Sequence, residues 1–369
     1  MKNIGIVSYN IHCNFTNYGS ALQSWALKEA VNNLGYHAKL IDYCPEILKD
    51  KDPLNPFKNM WDKDEESIKM VELTMPAIKE NYYKFEKFYT DRFDRTKKVY
   101  TKDNFNDVMI DENIDGFVCG SDTIFCVDEF GIDDGYYANY DCMKNSYTVS
   151  YAASFGDSHF NEETYKLLDE RLKNFKAIGI REDGMVPYIK KRVNVSVSKV
   201  IDPTLLLKKE DYQQIIAPDQ KREKYLLLYA RRYNPKMSLY AENLAKEKGL
   251  KIIEISLRAT NKDIHEMRYD AGVEEFLELV KNAEFVVTNS YHGMIFAIQF
   301  QKQFVVFSRE QCDTKITELL KTMGLSDRML ISGEEDYNKI IDYELVHKRI
   351  DNFRKQSLDF LKMELDGIK

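Results

Sequence analysis

Residues 3–43 read NIGIVSYNIHCNFTNYGSALQSWALKEAVNNLGYHAKLIDY. The run IGIVSY at 4–9 is short and apolar, as expected of a strand covered on both faces of a parallel sheet. A polar loop follows over 10–20. The spacing predicts a helix over about 20–34, with Leu22, Trp25, Ala26 and Ala30 on one face and Gly35 as its stop. Residues 38–43 form the next predicted strand, closed by Pro45. A strand, a loop, a helix and a second strand in this order open a doubly wound α/β domain.

The same alternation continues downstream. Strands are predicted at 115–120, 147–155, 177–181 and 199–201, then at 225–230, 251–255, 285–288 and 304–307. Residues 45–63 read as an excursion loop, and 65–93 as a charged helix. A helix over 235–248 ends at Gly249. Val273, Phe276, Leu277 and Val280 mark a helical stripe, and 294–298 is apolar nearly all round, as in a buried helix. The tail over 337–365 is helical, with Val346, Ile350, Phe353, Phe360 and Leu361 on one face. The sequence leaves open whether this tail packs back over the first half. The polar stretch 217–224 marks the best boundary, giving an N-terminal half 1–216 and a C-terminal half 217–369 that carries the last helix.

The composition fits this reading and excludes others. The chain has 369 residues, a length that favours two domains. Its net charge of −7 argues against a nucleic-acid partner, which would need a basic face. The 24 Tyr and 20 Phe suit either an aromatic core or stacking surfaces for sugars, and the core is the commoner use. Cys13, Cys44, Cys119, Cys126, Cys142 and Cys312 form no CxxC pair and no zinc-type spacing with His, so no metal site is expected. Reduced thiols fit a cytoplasmic protein. The opening MKNIGIVSYN lacks a signal peptide's apolar region, and no window reaches 18 uninterrupted apolar residues.

In open α/β sheets, chemistry gathers beyond the carboxyl ends of strands. After the first strand come His12, Asn14, Asn17, Tyr18 and Gly19, leading into a helix start that suits either an anion or a simple cap. GxGxxG and the P-loop pattern are absent. After 115–120 come Ser121 and Asp122; Asp122 is a candidate base or a turn cap. Arg181, Glu182 and Asp183 follow 177–180, and Arg231 and Arg232 follow 225–230. An arginine there offers a planar fork to carboxylate or phosphate. After 285–288 comes Asn289-Ser290-Tyr291-His292-Gly293. A helix N-terminus disfavours a cationic imidazole, and an anionic ligand would restore the balance and poise such a ring as an acid. Lys302 and Arg309 follow nearby and add positive charge.

Taken in order, six segments resemble the polysaccharide pyruvyl transferase family. They are NYGSALQ at 17–23, DGFVCGSD at 115–122, SYAASFG at 150–156, RED at 181–183, DPT at 202–204 and TNSYHG at 288–293. One departure stands out: the family typically continues Gly-Ser-Asp with Gln-Val-Trp, where this chain has Thr123-Ile124-Phe125. The resemblance implies two Rossmann-like domains facing a central cleft, a GT-B-like architecture, with the N-terminal half on the acceptor side and the C-terminal half on the donor side. It also implies transfer of pyruvate from phosphoenolpyruvate onto two hydroxyls of a sugar as a cyclic ketal. Phosphoenolpyruvate is then a donor substrate, and no cofactor or metal is needed.

The expected partner is a carbohydrate acceptor, lipid-linked or nucleotide-linked, with any membrane contact made through that substrate. This chemistry needs an acid, a base and cations for two anionic groups. His292 is the candidate acid and Asp122 the candidate base. Arg181 is the first choice of anion clamp, with Arg231 and Arg309 next. Asn17, Gly19, Ser290 and Asn289 are candidate pocket residues. Two other readings share the scaffold: a GT-B-like glycosyltransferase using a nucleotide sugar, and a non-catalytic sugar-binding protein.

Overall fold

The computed structural model describes residues 1–60, 63–309, 313–331 and 339–368. Two parallel sheets divide them. The first contains β1 (Asn3–Val7), β2 (His37–Leu40), β3 (Gly116–Cys119), β4 (Tyr147–Ala153), β5 (Ala177–Ile180) and β6 (Ser196–Lys199), in the spatial order β2-β1-β3-β4-β5-β6. The second contains β7 (Tyr225–Tyr229), β8 (Lys251–Ile255), β9 (Glu266–Met267), β10 (Phe285–Thr288), β11 (Gln303–Phe307) and β12 (Met329–Leu330), in the order β12-β11-β10-β7-β8-β9. The chain reverses its direction of growth between β1 and β3 in the first sheet and between β7 and β10 in the second. A crevice opens outside the carboxyl ends of the strands at each such point.

The strands form where short apolar runs meet helices on both faces. β3, β5, β7 and β10 are buried along their whole length. The helices that cover the sheets include α1 (Tyr18–Asn33), α2 (Glu65–Arg92), α3 (Glu162–Arg171), α4 (Met185–Lys190), α5 (Pro235–Lys248), α6 (Val273–Asn282), α7 (Tyr291–Gln299), α8 (Asp313–Met323) and α9 (Tyr343–Leu365). Every residue of α7 is buried, as its unbroken apolar run implies. The sixth strand lies three residues earlier than predicted. Its alternating, partly polar sequence SVSK belongs to a sheet edge, where apolar runs give little guidance.

The two halves share one core. The Tyr18 ring stacks on Phe276 with centroids 4.5 Å apart and meets Tyr229 edge-on at 5.7 Å. The Tyr18 hydroxyl donates to the Ala271 carbonyl at 2.6 Å. Lys84 of α2 reaches across to Glu275 at 2.9 Å and Asp270 at 3.1 Å.

Helix α9 starts against the second half and ends on the first. Arg349 donates to Met323 O at 2.6 Å near its start. Arg354 donates to Leu205 O at 2.6 Å, and Ser357 Oγ accepts from Ile201 N at 2.9 Å. Tyr147 donates to Glu364 at 3.2 Å, and Phe360 packs on Gly179 of β5. The tail thus belongs spatially to both halves. The part of its predicted range at 337–338 lies outside the described residues.

Cys13, Cys44, Cys119, Cys126 and Cys142 are free thiols, and Cys312 lies outside the described residues. No described helix is long and apolar enough to cross a membrane.

Candidate active site

The carboxyl edges of the two sheets face each other, and segments from both meet at Asp202. Its carboxylate is fully buried, with Oδ2 2.8 Å from Arg181 Nη2 and 3.5 Å from His292 Nε2. Its Oδ1 accepts from Thr204 N at 2.9 Å and from Thr204 Oγ1 at 2.6 Å. Burial pushes this carboxyl up, but Arg181 and His292 outweigh that and hold it well below the usual carboxylate range. Asp202 therefore carries a permanent charge that fixes a guanidinium from the first sheet's edge and an imidazole from the second's.

Arg181 also donates to Ser121 Oγ and lies 5.4 Å from the centre of the Tyr291 ring. Lys315 of α8 sits 5.3 Å from the same ring. Arg181 Nε and Nη1 are buried without hydrogen-bond partners among the described residues, while His292 Nε2 has the long ion-pair contact to Asp202. Such unmet demand in a folded interior calls for an explanation, and a ligand supplies one.

Asp122 lies across from these cations. Its Oδ2 accepts from Ser20 Oγ at 2.7 Å and its Oδ1 from Thr123 N at 2.9 Å. Burial raises this carboxyl, but Lys315 first, then His292 and Arg181, pull it below the ordinary range. It is ionised at neutral pH. Glu182 is also buried, and there burial wins: its carboxyl is raised and accepts from Ser154 Oγ.

Gly19 explains how His292 fits. A Cβ on Gly19 would stand 2.0 Å from His292 Nδ1, so the first turn of α1 touches the imidazole face. Gly120 makes a similar approach: a Cβ there would stand 1.9 Å from Tyr151 O. Only glycine lets the backbone come this close.

The remaining predicted residues divide by task. Asn17 caps α1, its side chain accepting from Gly19 N at 3.0 Å and Ser20 N at 3.4 Å. Ser290 caps α7, accepting from Gly293 N at 3.2 Å. Asn289 holds the backbone beyond β7: its Oδ1 accepts from Arg231 N at 2.9 Å, and its Nδ2 donates to Arg232 O at 2.6 Å. Both ends of that amide serve the scaffold rather than the pocket. The Arg231 side chain reaches Thr16 O at 3.3 Å, so Arg231 and His292 contact opposite ends of the segment 16–19. The Arg309 backbone N–H donates to Asp313 at 3.0 Å, and its guanidinium acts electrostatically on Glu129 and Tyr229. Lys302 precedes β11 and so lies at the amino edge, away from the site.

Sequence reading gave no site role to Asp202, Glu182 or Lys315. Asp202 stood inside a quoted motif, and the strand-end rule covers it. Lys315 lies in the first turn of the helix after β11, where the same rule would have found it had that helix been predicted.

The departure at 123–125 concerns the cleft through one side chain. Ile124 and Phe125 are fully buried, and Phe125 stacks on Tyr137 at 4.4 Å. Thr123 remains partly exposed and donates to Glu129 at 2.7 Å.

The loop after β1 carries a pH-sensitive tether. His12 Nε2 lies 2.7 Å from Asp42 Oδ1, two residues beyond the end of β2. Burial alone would lower this imidazole, but the bond to Asp42 raises it to about 9. A raised folded-state value gives stability that is full below about 6.5 and lost as pH climbs through about 9. The melting-temperature gap between wild type and His12→Gln should therefore be largest near pH 6 and close by pH 10. A gap that does not change with pH would refute the tether.

The fold is of GT-B architecture, with two parallel-sheet α/β halves and a C-terminal helix. In known structures the same fold appears in S. aureus MnaA with UDP (TM-score 0.53, 12% identity, 95% of this chain and 88% of that one). It appears also in UDP-GlcNAc 2-epimerases from Methanocaldococcus jannaschii (0.51, 11%, 95% and 92%) and from Neisseria meningitidis bound to UDP-GlcNAc (0.50, 9%, 99% and 99%). At these identities the likeness speaks for the fold alone. The family is given by sequence: the polysaccharide pyruvyl transferase model matches residues 17–311, and the chain belongs to that family. No curated protein matches it in sequence.

Proposed function

We propose that the protein moves pyruvate from phosphoenolpyruvate onto two hydroxyls of a carbohydrate, forming a cyclic ketal. The observation that carries this reading is the cluster of Arg181, His292 and Lys315, in which Asp202 holds Arg181 and His292 and ionised Asp122 lies close by. Phosphoenolpyruvate needs cations for its phosphate and carboxylate, an acid for its methylene carbon and a base for the incoming hydroxyl.

The steps follow from these roles. Arg181 and Lys315 hold the two anionic groups, with the Arg181 fork suited to bidentate binding. His292 gives its proton to the methylene carbon, and the central carbon becomes oxocarbenium-like. A sugar hydroxyl adds to that carbon while Asp122 accepts its proton. The bond to phosphate then breaks as the second hydroxyl closes the ring. That hydroxyl's proton restores His292, and the proton on Asp122 leaves with phosphate. Ser20, hydrogen-bonded to Asp122, keeps the carboxylate aimed.

The test is incubation with phosphoenolpyruvate and a sugar diol, reading released phosphate and the ketal carbon by NMR. Release of nucleotide from a nucleotide sugar, with none of phosphate from phosphoenolpyruvate, would refute the reading. Arg181→Ala should weaken phosphoenolpyruvate binding by roughly 1.5–3 kcal/mol, the typical worth of a charge-assisted hydrogen bond. Arg181→Lys, which keeps a cation beside buried Asp202, separates binding from folding. Unchanged donor affinity in Arg181→Ala would move the clamp to Lys315.

A further inference from the structure

Helix α8 of the second half meets the first half through the carboxylate of Glu318. Its Oε2 accepts from the backbone N–H of Asp183 at 2.9 Å, and Lys199 Nζ lies 3.7 Å from the same oxygen. Lys199 also pairs with Asp183 Oδ2 at 2.6 Å, and its ammonium sits 5.9 Å from the centre of the Phe353 ring on α9. Asp183 lies just beyond β5 and Lys199 ends β6, both in the first sheet, whereas α8 follows β11 of the second.

Where these groups stand in the chain gives the contact its meaning. Glu318 follows Lys315 by three residues, so the two side chains share a face of α8. Asp183 follows Arg181 by two. One hydrogen bond thus ties the helix that carries Lys315 to the segment that carries Arg181. Both cations approach the Tyr291 ring, Arg181 at 5.4 Å and Lys315 at 5.3 Å, and Lys315 is buried. The start of α8 is held within its own half, where Asp313 accepts from Arg309 N at 3.0 Å. Glu318 holds its middle against the other half.

Exposure tells which contact carries the tether. The side chains of Lys199 and Glu318 are 19% and 25% exposed, and a partly exposed ion pair adds little by itself. A carboxylate that accepts from a backbone N–H makes a stronger, charge-assisted bond, and that donor cannot rotate away.

We infer that Glu318 is a positioning residue: its bond to Asp183 N–H keeps Lys315 seated beside Arg181, so that cations from both halves address one pocket. The inference rests on the donor reading above, in which Arg181 and Lys315 hold the anionic groups of phosphoenolpyruvate. With the bond lost, α8 keeps its start at Asp313 while its middle moves off the exit of β5 and takes Lys315 with it.

The test compares the full chain with Glu318→Ala and Glu318→Gln in two arms. The first needs no substrate: acetylation of Lys315 by N-hydroxysuccinimide acetate, read by peptide mass spectrometry, with exposed Lys321 on the same helix as the internal standard. Buried Lys315 should react slowly in wild type and several-fold faster in Glu318→Ala. Glutamine still accepts from Asp183 N–H, so Glu318→Gln should label like wild type. Alanine and glutamine are both good helix formers, so α8 itself survives either change. The second arm reads KM for phosphoenolpyruvate against kcat. Glu318→Ala should raise KM roughly tenfold, the scale of one hydrogen bond to a charged group withdrawn from the clamp. Turnover at saturation should stay close to wild type, because His292 and Asp122 lie on other elements. Glutamine should restore KM. The inference is overturned if Lys315 in folded Glu318→Ala labels as in wild type, if it labels faster while KM is unchanged, or if glutamine restores neither reading. A wrong donor reading shows separately, as a wild type that releases no phosphate from phosphoenolpyruvate, and the labelling arm then still decides whether Glu318 seats Lys315.

Discussion

Replacing His292 with glutamine should lower turnover by roughly 10²–10⁴-fold, the usual worth of a positioned general acid. Phosphoenolpyruvate binding should change far less, because Arg181 and Lys315 remain. The split between kcat and donor affinity is the decisive reading: a loss confined to affinity would make His292 a binding residue, and near-normal turnover would remove it from the mechanism. The pH profile adds a second check. Asp122 stays ionised down to low pH because Lys315, His292 and Arg181 hold it there against burial. A wild-type acid limb in the usual carboxylate range, near pH 4, would therefore point to another base. His292 is buried between the halves, so its glutamine variant should be compared by melting temperature before its kinetics are interpreted.

Gly19→Ala should be nearly as damaging, although the change is one methyl group. The new carbon would stand 2.0 Å from His292 Nδ1 and 2.5 Å from its Cγ, so the ring or the first turn of α1 must move. A displacement of about 1 Å at a reacting group can cost on the order of 10²-fold in rate. Overpacking a filled interior also costs about 1–3 kcal/mol of stability. The discriminating measurement is a double-mutant cycle. In a His292→Ala background the clash is gone, and Gly19→Ala should cost almost no melting temperature. An equal cost in both backgrounds would show that Gly19 matters for backbone reasons alone.

Much of the fold was legible because parallel strands buried on both faces leave compact apolar runs, as at 225–229 and 285–288. Among the edge strands β2 was legible, but the others left weaker marks. SVSK at 196–199 and the two-residue strands β9 and β12 gain their identity from pairing, which a linear pattern does not carry. The candidate site was legible where residues follow a strand end, Arg181 directly after β5 and His292 four residues beyond β10. Asp202 was harder, because an Asp before Pro reads first as a turn cap. Here it does cap Thr204 with one oxygen while the other joins the site. Asn17, Ser290 and Asn289 show the converse. Polar residues at helix starts and strand exits look like ligands in a sequence, and hydrogen bonds to nearby backbone account for all three.

Helix α9 sets a mechanical condition on the cleft. Its early turns grip the second half through Arg349, and its later turns grip the first through Arg354, Ser357 and Glu364. A rod clamped at both ends cannot hinge freely at its middle. The two halves can therefore part only by twisting about this rod or by unseating one of its clamps. Solvent-facing Met363, near the far end, is where a spectroscopic label would report such unseating as the enzyme takes up and releases its substrates.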